Sequence, residues 1–327
     1  MILAPGVGLA WRPETAWLCD QRPALTEVLA DGLDPRRLPR PLAILAERGV
    51  PIVPHGVGLS LGGAAPVDRD RLARLATLAR ALRAPLVSEH VAFVRGGGRE
   101  AGHLLPVPRT RPAMAALVDN VRRAQDALPV PLALENIAAA FRWPGDAGAD
   151  ADFVAELLDR TGAYLLLDLA NLHANALNHG FDAAAAVDRY PLHRLAYVHV
   201  AGGAWSGRWW RDTHAHPTAA STLDLLRRLV ARLGPVPVVL ERDRAFGTRA
   251  DLDAELDAIA DAAAPAAAPA KAPPRPPRPA LAAGAGDLAS AQAAVVAALV
   301  AGAEPPAGFD AAELAFARDL LAARSMH

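Results

Sequence analysis

The sequence predicts an α/β protein built as a closed (β/α)8 barrel, a TIM barrel, followed by a Pro/Ala-rich linker and a small helical appendage. Three observations lead there. Eight short runs read as strands, most of them apolar without a break. Amphipathic Ala/Arg/Leu-rich stretches separate most of these runs. Imidazole and carboxylate side chains recur where the runs end. Continuously apolar strands between helices indicate a parallel sheet covered on both faces. Eight such units in ~260 residues suit a closed barrel better than a doubly wound open sheet.

The expected strands are Val7–Ala10, Leu25–Leu29, Ile52–Leu59, Leu86–Ala92, Pro131–Glu135, Tyr164–Asp168, Leu195–His199 and Val236–Glu241. Helical periodicity marks Asp68–Arg83, Arg111–Leu128, Asp150–Thr161 and Thr218–Leu233. After Ala260 the composition changes, and "AAAPAAAPAKAPPRPPRPA" reads as an extended linker. Leu288–Ala301 then reads as one helix, "PPAGFD" breaks the chain, and Asp310 can cap a second helix from Ala311 to about Ala323. The expected division is a metal-binding barrel at 1–262, a linker at 263–280 and a small helical domain at 281–327. No candidate catalytic cluster lies in that last part.

The chain has 327 residues, is 52% hydrophobic and 21% charged, and so can bury a sizeable core. Net charge is −1 without a dominant basic block, which gives no case for nucleic-acid binding. Lys271 is the only lysine. Cys19 is the only cysteine, which excludes an internal disulfide and a cysteine-based metal site. The start, "MILAPGVGLAW", lacks the basic and long apolar regions of a signal peptide. No apolar run reaches the length of a bilayer span. The expectation is a cytoplasmic protein without a membrane partner.

The chemistry sits at the strand ends. The third strand carries His55, the fourth Glu89 and His90, the fifth Glu135 and Asn136, the sixth Asp168 and Asn171. His199 ends the seventh, Glu241 and Asp243 the eighth, and "RDTHAHP" adds Asp212, His214 and His216. In a parallel barrel these ends converge on one mouth. Each element has an ordinary structural reading: a lone strand histidine packs in a core, Glu135-Asn136 can cap a helix, and "DTH" can form an Asx turn. The set taken together is harder to assign that way. Histidine and carboxylate without thiolate suit iron, manganese or zinc. Their number exceeds the needs of one ion, so at least two metals are expected, bridged by Glu135 or Asp168. Asp168 is a sharp case, because an apolar run, Tyr164–Leu167, leads straight into a carboxylate that is costly to bury without a partner. His103, His173 and His179 are expected to lie outside the ligand set. The Gly-rich "GVGLA", "HGVGLSLGG" and "RGGGRE" lack the Gly-Lys-Ser/Thr of a phosphate-binding loop and read as tight turns. "AWSGRWW" is either a substrate-covering loop or loop packing.

These stretches resemble, in order, the multinuclear non-haem iron-dependent oxidative enzymes that modify ribosomally made peptides. The matching motifs are "GVGL" (6–9), "HGVGLSLG" (55–62), "VSEHVAF" (87–93), "LLPVPRT" (104–110), "LENI" (134–137), "LLLDLANLHANALNHGFD" (165–182), "HVAGG" (199–203), "DTHAHP" (212–217) and "LERD" (240–243). Together they cover about residues 5 to 262. The resemblance implies a xylose-isomerase-like barrel holding two or three iron ions, with O2 as cosubstrate and a peptide residue, often cysteine, as the group oxidised. Carried over by position, it implies His55, His90, Glu135, Asp168, Asn171, His199, Asp212, His214 and Glu241 as metal ligands, with His55, His90, Glu135, Asp168, His199 and Glu241 as the catalytic set. A substrate-presenting partner protein is also implied. Three positions depart from the pattern: Ala201-Gly202-Gly203 replaces Ala-Gly-His, Ala170-Asn171 replaces an Asn pair, and "AWRPETAW" lacks a His found in many members. The tail resembles a short C-terminal extension of actinobacterial members, and also part of the helical region in peptide-presenting partners.

Two other readings remain from the residues themselves. A divalent-metal isomerase or phosphoester hydrolase would need basic groups at the mouth, for which Arg95, Arg109 and Arg142 are candidates. A non-catalytic peptide-binding scaffold would need no metal. The linker expectation has a direct test. Limited proteolysis is expected to cut first within 263–280, because that segment has too few large apolar side chains to offset its ordering entropy. Cleavage of the barrel loops while 263–280 resists would overturn the domain division.

Overall fold

In the computed structural model, which describes residues 3–20, 23–146, 148–265, 277–284 and 286–324, the eight apolar runs pair edge to edge into a closed ring. The barrel strands are β1 (Gly6–Trp11), β2 (Thr26–Leu29), β3 (Ile52–His55), β4 (Val87–His90), β5 (Leu132–Glu135), β6 (Tyr164–Asp168), β7 (Leu195–Val200) and β8 (Pro237–Leu240). Each is parallel to its sequence neighbour, and β8 returns to β1 through Gly6↔Pro237 to Leu9↔Leu240. The expected closed (β/α)8 architecture is the observed one.

Most connections are helical: α1 (Arg40–Glu47), α2 (Arg69–Ala81), α3 (Arg111–Ala127), α4 (Asp150–Thr161), α5 (Leu169–His179), α6 (Ala183–Val187), α7 (Ala220–Leu233) and α8 (Arg249–Ala263). Local chemistry starts several of them. The Asp68 carboxylate accepts from the amides of Asp70 and Arg71, and Thr248 forms a reciprocal cap with Asp251 at α8. Gly162 and Gly180, both with φ of 73°, end α4 and α5 in the left-handed conformation.

Three local expectations change. The expected strand Ile52–Leu59 ends at His55, and residues 56–59 belong to the loop that follows. The run Leu86–Ala92 is not one strand. It ends at His90, and Ala92–Gly96 pairs antiparallel with Arg99–Pro106 as a separate hairpin. The turn is Gly97-Gly98, at φ of 59° and 73°, so "RGGGRE" is a tight turn as its glycines require. The stretch after Asp168 is also not a trailing strand end. Helix α5 begins at Leu169, and Asp168 is its N-cap, accepting from the Asn171 amide at 2.8 Å.

Strand periodicity positions the site. Leu25, Val53, Leu86, Ala133, Leu166, Tyr197 and Val239 pack together inside the barrel. Two residues further along each strand, on the same face, stand Glu27, His55, Ser88, Glu135, Asp168, His199 and Glu241. An apolar interior layer is thus capped by a polar one at the C-terminal ends. The larger hydrophobic cluster lies outside the barrel, between strands and helices.

The tail is docked. Helices α9 (Leu288–Ala301) and α10 (Ala311–Arg324) bury Val295, Val296, Leu299, Leu314, Phe316 and Ala317 against Phe93, Ala101, Leu105, Phe141 and Trp143. Gln292 is 1% exposed and donates to the Gly62 carbonyl while accepting from the Ala64 amide, both at 2.8 Å. Much of the expected linker, 266–276, lies outside the described residues. No helix among the described residues is long and apolar enough to cross a membrane.

Glu313 of α10 ties the tail to the barrel loops. Its carboxylate accepts from the Arg142 amide (2.7 Å) and from Arg142 Nε (2.9 Å), and lies 3.5 Å from His179 Nδ1. Burial works against the charge, yet His179 and Arg142 hold its pKa down at about 2. A depressed carboxylate contributes stability that is complete above its unfolded value of 4.5 and lost as the pH falls through about 2. The stability advantage of wild type over Glu313→Gln should therefore shrink between pH 4.5 and pH 2. Chemical denaturation monitored by tryptophan fluorescence reads this, since Trp143 and Trp209 adjoin the tail. A constant difference across that window would remove the ion pair from the docking.

Candidate metal centre

The polar layer forms a buried cluster of four carboxylates and three imidazoles: Glu27, Glu135, Asp168, Glu241, His55, His90 and His199. Ligand-type atoms fall within 4.8 Å of one another in three groups: His55, His90 and Glu135; Glu135, Asp168, His199 and Glu241; and Glu27, His55 and Glu241. Glu135 belongs to two of them. Its Oε2 lies 3.4 Å from His55 Nε2 and 3.2 Å from His90 Nε2, and its Oε1 lies 3.1 Å from His199 Nδ1. His199 Nδ1 is also 3.1 Å from Glu241 Oε2 and 4.0 Å from Asp168 Oδ2.

Supporting side chains hold these groups still. Asn136 clasps the backbone of Asp168, donating to its carbonyl and accepting from its amide, both at 2.9 Å. The side-chain amide of Asn171 donates to the Asn136 carbonyl at 3.0 Å. Glu89 faces the β3–α2 loop, where it accepts from the Leu59 amide at 2.9 Å and stands 3.3 Å from His90 Nδ1. A Cβ at Gly56 would fall 2.8 Å from the Glu89 carboxylate, so glycine there lets the loop close on it.

Electrostatics show how the cluster is balanced by itself. Burial raises Glu135, but His199 and His90 overcome it and bring its pKa to about 2. Glu241 is likewise held well below the usual range, against burial, by His199 and His214. Burial first, and then the charge of Glu135, push Asp168 well above the usual range. Burial opposes protonation of His199, yet Glu241, Glu27 and Glu135 raise it strongly; His90 rises to about 8 for the same kind of reason, with Glu135 the main partner. His90 and His199 therefore stand in for cations. Several oxygens still lack a hydrogen-bond partner, among them Glu135 Oε2, Asp168 Oδ2 and Glu27 Oε1. Buried acceptors without donors, converging with imidazole nitrogens, fit hard or borderline divalent cations.

The remaining residues fall nearby. His214 and Asp212 pair at 2.7 Å, and His214 Nδ1 lies 3.7 Å from Glu241 and 3.3 Å from Asp243. Neither belongs to the compact groups among the described residues. Asp243 is held by Arg12, with Nε to Oδ1 at 2.9 Å. His173 meets Ser221 at 3.0 Å, His179 meets the Ala139 carbonyl at 2.9 Å, and His103 sits in the Arg99–Pro106 strand. Gly202 and Gly203 have a packing reason. A Cβ would fall 2.0 Å from the His216 carbonyl oxygen at the first and 2.4 Å from that of Arg211 at the second. "AWSGRWW" is a hairpin, Gly203–Ser206 against Trp209–Asp212, which Asn178 pins through the Trp210 backbone.

Glu27 is absent from the residues expected from sequence. It stands in a strand with no other chemistry-bearing residue, yet its position two after the interior Leu25 matches the spacing of the other six, and that periodicity is the signal that finds it. For Asp168 the expected outcome is specific. Asp168→Asn retains an oxygen for the Asn171 cap but removes the charge, so the variant should fold and carry less metal than wild type. Metal content by elemental analysis, beside a thermal melt, checks this; full occupancy in a well-folded variant would sink it.

Comparison with known proteins agrees with this architecture. Residues 6–264 match the family model described as RiPP precursor modification enzyme MbnB/TglH/ChrH, and residues 289–326 match an SCO6045-like C-terminal domain. A UPF0276 protein of Streptomyces avermitilis is 50% identical over 257 residues, 76% of this chain but 53% of that protein, so the chain spans about half the length of this relative. A UPF0276 protein of Caulobacter vibrioides is 37% identical over 251 residues, covering 74% of this chain and 89% of the relative. Among solved structures, D-psicose 3-epimerase from Clostridium cellulolyticum superposes with a TM-score of 0.51 at 10% identity, over 79% of this chain and 96% of that one. Endonuclease IV from Thermus thermophilus gives 0.50 at 20% identity, over 79% and 98%. These two likenesses show the barrel fold alone, whereas the match over 6–264 assigns the lineage: the chain belongs to the MbnB/TglH/ChrH family of enzymes that modify ribosomally synthesised peptide precursors.

Proposed function

We propose that this protein is a multinuclear iron enzyme that uses O2 to oxidise a residue, cysteine being the best candidate, of a ribosomally synthesised peptide. The observation that carries the reading is Glu135, a fully buried carboxylate shared by two histidine–carboxylate groups, with an oxygen that no protein donor satisfies. In this reading His55, His90 and Glu135 hold one ion, and Glu135, Asp168, His199 and Glu241 a second. Asn171, Asp212 and His214 are the residues that would hold a third. When bound, iron supplies Lewis acidity and an open position for O2 and a substrate thiolate.

The chain's own part is positioning and exclusion of water. His55, His90, Glu135, Asp168, His199 and Glu241 are the catalytic set, kept rigid by strand backbone and by Asn136. The Trp hairpin follows β7 at the C-terminal side of the barrel, and its Trp205 is 56% exposed, open to a peptide chain. Binding energy from peptide contacts away from the reacting atoms then serves orientation. The reading also takes 1–262 as the catalytic barrel, 263–280 as a linker and 281–327 as an appended domain of actinobacterial type. It places the reaction in the cytoplasm and allows for a substrate-presenting partner protein.

The isomerase or phosphoester hydrolase reading loses its phosphate clamp. Arg95 is spent on the Gly58 and Leu59 carbonyls, the Arg109 guanidinium on the Gly148 carbonyl with Asp146 3.9 Å from its Nε, and Arg142 on Glu313. Metal analysis of anaerobically purified protein separates the readings. Two or three iron ions per chain are expected, and Glu135→Gln should remove more than one equivalent because both groups share it. Zinc or manganese would favour the hydrolase or isomerase, and a metal-free protein the scaffold.

A further inference from the structure

Glu27 is the carboxylate of the interior polar layer that no expected ligand set includes. Glu27 of β2 is 0% exposed, and its Oε2 collects two polar hydrogens. His199 Nε2 lies 2.9 Å away, and the Tyr197 hydroxyl, also fully buried, donates to the same oxygen. Tyr197 Oη is in turn 2.8 Å from Ser88 Oγ, and Ser88 Oγ is 2.8 Å from His55 Nδ1. The chain of contacts has only one consistent direction if Glu27, as a carboxylate, has no proton to give. The Tyr197 proton goes to Glu27. Ser88 then donates to Tyr197 Oη, and His55 Nδ1–H donates to Ser88. On the other branch, His199 Nε2–H donates straight to Glu27.

With metal bound, both imidazoles would turn a lone pair to the centre. For His55 it is Nε2, 3.4 Å from Glu135; for His199 it is Nδ1, 3.1 Å from both Glu135 and Glu241. The nitrogens differ, Nε2 on one ring and Nδ1 on the other, yet one carboxylate behind them sets both. A histidine that donates its far N–H to a carboxylate is fixed in tautomer and orientation and is a stronger metal ligand.

We infer that Glu27 is a positioning residue that fixes the tautomers of His55 and His199 together, directly for His199 and through Tyr197 and Ser88 for His55, and so couples the two metal groups from beneath. This rests on the metal-centre reading above. Glu27 also stands near His55 and Glu241 as a candidate ligand in its own right. Its Oε1 has no hydrogen-bond partner, whereas Oε2 is already the acceptor for His199 and Tyr197, and the His55 nitrogen facing Glu27 is Nδ1, 3.9 Å away and engaged by Ser88. The number of metal equivalents held by Glu27→Gln separates the two roles.

The test uses the full chain with two variants. Zn2+ serves as a diamagnetic probe, and Fe2+ is titrated without oxygen. Glu27→Gln keeps the size and removes the obligate acceptor; Tyr197→Phe keeps the ring, cuts the branch to His55 and leaves the direct His199–Glu27 contact in place. In Zn2+-loaded wild type, ring N–H protons of both His55 and His199 should appear in the strongly hydrogen-bonded region of the proton spectrum. Glu27→Gln should shift both, keep the same number of metal equivalents, and weaken affinity by ~10–100-fold. Tyr197→Phe should shift His55 alone. Unchanged affinity and ring protons in Glu27→Gln would overturn the inference and leave the proposed function standing. Loss of a whole equivalent would overturn it too, by making Glu27 a ligand. Wild type that binds neither ion would overturn the metal-centre reading and this inference with it. If Glu27→Gln does not fold, Tyr197→Phe decides the matter by whether the His55 proton moves and that of His199 stays.

Discussion

Seven ionisable side chains share the C-terminal end of one barrel, and the charge on Glu135 is what they are arranged around. A carboxylate taken out of water loses several kcal/mol of hydration unless nearby charges replace it. Here the replacement comes from His55, His90 and His199, all within 3.4 Å of its two oxygens. The balance is local and incomplete. Glu135 and Glu241 stay ionised, while Asp168 is driven toward protonation by burial and by the charges of the others. Such an arrangement suits a site whose resident charges are metal ions. Each ion would satisfy the orphan oxygens and release His90 and His199 from acting as counter-cations.

Holding so many polar groups together requires a rigid frame, and the barrel supplies it by repetition. Along each strand, a step of two residues moves from the apolar interior layer to the polar one without changing face. Tyr197 packs with Ala133 and Leu166 in the interior layer, and its hydroxyl reaches the polar layer from below. Asn136, Asn171 and Ser88 then bind backbone or ring nitrogens, so few of the centre's neighbours are free to rotate. Precision of this kind comes from strands and helix starts rather than from loops.

The rim is a later layer on the same frame. The Ala92–Pro106 hairpin and the Trp hairpin both rise from the C-terminal side of the barrel, and the tail packs against each. Phe316 of α10 stacks on Trp209 with ring centres 5.0 Å apart, and Phe309 meets Trp143 at 5.2 Å. The matches to two family models thus fall on parts of one chain that share a continuous apolar interface. The tail packs on these hairpins and, among the described residues, contributes nothing to the polar cluster.

Residues spaced by local rules were legible from the sequence: the alternation of apolar runs and amphipathic helices, the two tail helices, the turn at Gly97-Gly98, and the imidazoles and carboxylates that end six strands. Period and composition are properties of the chain itself, so they hold whatever its tertiary contacts are. What only the tertiary structure decided is which of those groups meet. The strand after Leu86 stops at His90 because a hairpin needs the next residues, and Asp168 turns out to cap a helix as well as face the centre. Glu27 gains its role solely from the ring closure that sets β2 across from β7, bringing it to residues 170 and 172 positions away. Distance along the chain carries no record of such a meeting, because the barrel's register, and not any local preference, brings the partners into contact.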